Sequence, residues 1–100
     1  ETVSATKELI GKKKSIKEIC DERGLTYGTI LSHFEKIKVR EPNFDFSELK
    51  NEIPDGHFSK IRLAFLKTAS KDGKILLTPA KELLGDKFSF EEIRLARLFM

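Results

Sequence analysis

The chain has 100 residues, with 19 Lys and Arg against 16 Asp and Glu and a net charge of +3. That length suits one domain burying roughly two-thirds of its unfolded surface, and with no long apolar run or leader pattern in it neither a membrane span nor a signal peptide is expected. The only cysteine, Cys20, excludes a disulfide scaffold and fits a reducing cytoplasm; the mild charge favours an anionic partner only weakly.

In chain order, Thr2 to Ile10 has helical spacing, with Val3, Thr6 and Leu9/Ile10 on one face, and Gly11-Lys-Lys-Lys reads as a turn. Ser15 with Glu18 forms a capping box, and Ile16 and Ile19 follow on one face. Cys20 supplies a small apolar side chain where a second helix can approach. Gly24 can take the left-handed conformation that ends a helix, and Leu25 plugs the turn. Thr26 caps the next helix, whose inward face is Ile30, Phe34 and Ile37. The order Cys20, Gly24, Ile30 is the signature of a helix-turn-helix, whose second helix is available to a DNA groove.

Beyond Glu41-Pro42-Asn43 the periodicity breaks. Asp45 or Ser47 is placed to cap a short helical piece carrying Phe46 and Leu49, and Asp55 to cap a helix over His57 to Ser70. Its stripe is Phe58, Ile61, Phe65 and Ala69, widened by Leu66. Asp72-Gly73 ends that element. Ile75 to Leu77 reads as a buried connector, and Thr78-Pro79 as the start of a helix running to Gly85. Ser89 and Glu92 form a second capping box, with Phe90, Ile93 and Leu98 turned inward. The expected fold is an all-α, helix-turn-helix-containing bundle of about six or seven short helices. It forms one domain over residues 1–100, with a helix-turn-helix half at 1–40 and a C-terminal helical half at 44–100.

Thr26, Tyr27, Gly28, Thr29, Ser32 and Lys36 are the candidate DNA-facing residues of the second helix. Lys12, Lys13, Lys14, Lys38 and Arg40 flank it as phosphate contacts. Gly28 would let a phosphate approach the helix start, where amide groups attract anions. Leu31 follows the branched Ile30, where the reading helix of bacterial response-regulator effector domains, which this stretch resembles, carries a polar residue; it suits a thymine methyl, a protein neighbour or burial against another helix. Most of the eight phenylalanines have core spacing.

Other chemistry is missing. Gly11-Lys12-Lys13 lacks the upstream glycine and following Ser or Thr of a phosphate-binding loop. Cys20, His33 and His57 lack zinc-ligand spacing, and His33 reads as a packed side chain bonded to a backbone carbonyl. Ser32 and His33 are adjacent on a helix and diverge, and Glu91-Glu92 suit a helix start. No catalytic or metal residue is expected.

Thr29-Ile30-Leu31-Ser32-His33 is similar to the reading helix of bacterial response-regulator effector domains. The chain as a whole resembles the C-terminal helix-turn-helix domain of bacterial RecQ-type ATP-dependent DNA helicases. Three stretches carry the resemblance: Ser15-Ile-x-Glu-Ile-x-x-x-Arg-Gly-Leu continuing to Thr29-Ile30-x-x-His33; the aromatic helix at 58–69 with Asp72-Gly73; and Leu77 through Leu83 followed by Phe88-Ser-Phe-Glu-Glu-Ile-Arg-Leu-Ala. The resemblance implies a non-catalytic accessory domain at the C-terminus of a longer 3′-to-5′ motor acting in DNA repair and recombination. Its partners would be duplex or forked DNA, held weakly, and the helicase core of the same polypeptide, with no membrane partner. ATP and Mg would be bound by the parent protein, with none in this chain. The other classes open are a transcription regulator's DNA-binding domain and a docking module that uses Leu31 and Tyr27 and binds no DNA.

Overall fold

A computed structural model describes residues 2–100. Among them are six α-helices, one 3₁₀ helix and no strand: α1 (Thr2–Gly11), α2 (Ile16–Arg23), α3 (Tyr27–Arg40), a 3₁₀ helix (Ser47–Glu52), α4 (His57–Thr68), α5 (Leu77–Leu84) and α6 (Phe90–Arg97). The chain divides into two compact units, residues 1–52 and 53–100. The 3₁₀ helix therefore belongs with the helix-turn-helix.

In the first unit α1, α2 and α3 pack on one another. Ser15 Oγ accepts from the Glu18 amide at 3.1 Å while the Ser15 amide donates to the Glu18 carboxylate at 2.8 Å. These bonds satisfy amides that the helix leaves without partners. Gly24 ends α2 at φ 61°, ψ 35°, and its amide returns to the Cys20 carbonyl. Ile16, Ile19, Ile30, Phe34 and Ile37 are at most 1% exposed, each contributing roughly 1.5–3 kcal/mol of apolar burial. After α3 the chain turns back over the unit. Phe46 packs 6.1 Å from the Phe34 ring, and Glu52 Oε2 accepts from the Ile16 amide at 2.9 Å. Asp45 caps the 3₁₀ helix through the Ser47 amide at 2.9 Å.

The second unit packs α4, α5 and α6 together around Ile61, Phe65, Ala80, Ile93 and Leu95. His57 Nδ1 on α4 lies 2.5 Å from Glu92 Oε1 on α6, and its ring lies 4.3 Å from Phe88. Five expectations change here. Asp55 does not cap α4. Gly56 stands at the cap in a left-handed conformation, because the Pro54–Gly56 turn closes through its own backbone, His57 amide to Pro54 carbonyl at 3.0 Å. Leu66 is 55% exposed and Ala64 is 3%, so the buried stripe of α4 widens on the opposite flank, and the helix stops at Thr68. α5 begins at Leu77 with Pro79 in its third position; a proline there costs little, since the first amides of a helix have no acceptor within it. Finally, Phe90 is 39% exposed, whereas Phe88 is buried. Phe88 and Ile93, also buried, hold the two positions of a hydrophobic staple around the Ser89 cap.

Candidate nucleic-acid interface

α3 is amphipathic, and its burial pattern defines its outer face. Ile30, Leu31, His33, Phe34 and Ile37 are buried, while Thr29, Lys36, Val39 and Arg40 are exposed and Gly28, Ser32 and Glu35 are half-buried. Thr29, Ser32, Lys36 and Arg40 succeed one another at three- and four-residue intervals, which aligns them along one stripe. Gly28 precedes Ser32 by one turn and joins it. Residues two apart on a helix point about 200° from each other, so Tyr27, two before Thr29, and Lys38, two after Lys36, both half-buried, lie off that stripe.

The polar groups at the start of α3 serve the helix first. Thr26 Oγ1 accepts from the Thr29 amide at 3.2 Å and donates to Thr29 Oγ1 at 3.0 Å. Ser32 Oγ donates to the Gly28 carbonyl at 3.1 Å. Lys38 and Arg40 lie in the last turn, where cations favour the helix dipole. Lys12, Lys13 and Lys14 form the α1–α2 turn. Lys12 and Lys13 are exposed and Lys14 is half-buried. Lys12 sits 3.7 Å from Glu8, and Lys13 has φ 60°, a strained conformation for a residue with a Cβ.

Sequence reasoning passed over two members of the outer face. Glu35 and Val39 line a shallow groove of about 400 Å³ with Ser32, Lys36 and Arg40, and Val39 is 81% exposed. The same helical spacing that selects Lys36 also selects them. Glu35 places a negative charge among the two cations, which lowers the attraction of the stripe for phosphate. Leu31 is 1% exposed, so of its three expected uses burial holds, and neither a base nor a protein partner reaches it.

His33 is held by a side chain on another helix. Its Nδ1 lies 2.8 Å from Thr6 Oγ1 on α1, and Arg23 at the end of α2 donates to the same oxygen at 3.3 Å. One hydroxyl thus ties all three helices and fixes the rotation of α3 about its axis. Burial pushes the half-buried Cys20 thiol up from its ordinary pKa, away from reactivity. Among the described residues no group of three or more His, Cys, Asp or Glu side chains is placed to hold a metal ion, and no helix is long and apolar enough to cross a membrane.

This arrangement, a capped short helix, a left-handed glycine turn and a longer helix with a polar outer stripe, is that of a helix-turn-helix. The chain belongs to the helix-turn-helix domain family whose model matches residues 2–97. It is also similar to a protein of Psychrobacter sp. (strain PRwf-1) named ATP-dependent DNA helicase Pif1, at 27% identity over 120 aligned positions. The match covers 99% of this chain but only 18% of that protein. No solved structure matches the chain significantly.

Proposed function

We propose that this chain is a non-catalytic, DNA-binding accessory domain of an ATP-dependent DNA helicase. The observation that carries the reading is the outer stripe of α3, where Thr29, Ser32, Lys36 and Arg40 face outward from a helix whose other side is buried. Lys36 and Arg40 contact phosphates, joined by Lys12, Lys13, Lys14 and Lys38 around the helix-turn-helix. Thr26, Gly28, Thr29 and Ser32 form the groove-facing start of α3, with Tyr27 beside them off the stripe. The Psychrobacter helicase supports a motor as the parent. The RecQ type, 3′-to-5′ tracking and a cytoplasmic role in repair and recombination rest on the resemblance of the three sequence stretches. ATP and Mg belong, on this reading, to the parent protein.

Two cations and one acid on the stripe give weak binding with little sequence preference, with Kd of roughly 10⁻⁴ to 10⁻⁶ M. The test is a fluorescence titration with duplex, forked and single-stranded DNA at two salt concentrations. Binding that weakens with salt is expected. No binding at low salt, or binding indifferent to salt, overturns the reading.

A further inference from the structure

The second unit carries a feature that DNA binding by α3 does not use. α4 has two apolar arcs. Ile61, Ala64 and Phe65 are buried, but Leu63 and Leu66 are 56% and 55% exposed, as is Leu83 of α5 at 55%. Leu63, Ala64, Leu83 and Leu84 line an open groove of about 270 Å³ between α4 and α5, with Lys60 and Lys67 on its rim. α4 contains no acidic residue. No described side chain pairs with Lys60, Arg62 or Lys67. The acid of α5, Glu82, does not line the groove.

We propose that this groove docks an acidic, aliphatic segment of a partner protein, its apolar side chains on Leu63 and Leu83 and its carboxylates on Lys60 and Lys67. Charge complementarity selects the occupant: unpaired cations border an aliphatic floor and attract an acidic partner. A second copy fits poorly, because a two-fold contact sets the same patch against itself and would oppose lysine to lysine. Single-stranded nucleic acid fits poorly too, because it binds by stacking bases on aromatic rings and this floor has none.

The test is fluorescence anisotropy on the full chain. The probe is a labelled peptide of about 15 residues with leucines at helical spacing and glutamates elsewhere; a peptide with lysines for the glutamates and a thymidine oligonucleotide are the comparisons. The glutamate peptide should bind saturably. Lys60→Glu with Lys67→Glu should weaken it on the order of tenfold, and Leu63→Gln with Leu83→Gln should weaken it as well. All four side chains are exposed or line the open groove, so the far-UV circular dichroism should not change. Should the leucine pair disturb folding, the lysine pair decides. Absence of saturable binding, equal binding of the lysine peptide, or indifference to the lysine pair overturns the proposal. So does oligonucleotide binding that the leucine pair weakens, or self-association through this face in sedimentation.

Discussion

Thr6 Oγ1 on α1 and His33 Nδ1 on α3 lie 2.8 Å apart with both residues buried. Arg23 can only donate, so the hydroxyl accepts from Arg23 on one lone pair while it meets Nδ1 of His33. Thr6→Val preserves shape but removes the hydroxyl that His33 and Arg23 both engage. It should cost roughly 1–3 kcal/mol in urea unfolding. The double variant Thr6→Val/His33→Phe should lose less than the sum of the two single changes, since both remove the same contact. Additive losses would show that the pair is not coupled.

On the outer stripe of α3, Lys36→Gln should reduce the salt dependence of duplex binding by about one in log–log slope, and Lys36→Glu should weaken binding on the order of tenfold. Glu35→Gln should strengthen binding roughly two- to fivefold. Opposite signs at adjacent positions are hard to obtain from a change in fold. An effect of the same sign at both would mean that α3 does not face the DNA.

Lys13 occupies the left-handed region at φ 60°. Lys13→Gly removes that strain and should stabilise the chain by about 1 kcal/mol, read as a higher urea midpoint. The reverse experiment is Gly24→Ala. A Cβ there meets nothing within 4 Å, so its cost, about 1 kcal/mol or more, arises from the backbone angle alone.

The caps and the 3₁₀ helix make opposite pH contributions. Bonds from the Ser15 backbone and side chain hold Glu18 below the ordinary glutamate pKa. Its contribution is present above about pH 4.3 and fades as pH falls through the lowered value. Desolvation pushes Glu52 above the ordinary value despite its bond from the Ile16 amide. The folded chain therefore holds that proton more tightly than the unfolded one, and stability from this group is lost as pH rises through the raised value. Glu52→Gln keeps an acceptor for the amide and should flatten the decline on that side. Ser15→Ala should cost about 1 kcal/mol and shrink the loss on the acid side. Unchanged stability curves between pH 3 and 7 would refute both assignments.

The elements that local chemistry dictates were legible in the sequence. Both capping boxes, the Gly24 turn and the Thr26 cap need only residues a few positions apart, and they stand as expected. Positions decided by packing were not. α4 presents two leucine-bearing arcs, and spacing alone does not say which faces the core, so Leu66 was placed inside. Leu31 looked like an exposed departure from a reading helix because its burial is decided by packing that local spacing does not encode. The outer stripe was half legible. Lys36 and Ser32 were found as polar residues, whereas Val39 and Glu35 share their face but are not residue types expected to hold DNA.

The division of labour around α3 has an engineering consequence. Thr6, itself bonded by Arg23, reaches the helix at His33, on the buried side, while Thr29, Ser32, Lys36 and Arg40 occupy the outer side. The outer four can be exchanged as a set without touching the Thr6 hydroxyl, which joins the helices through His33 and Arg23. The domain is therefore a faceplate on a fixed mount, suited to grafting another motif's recognition residues.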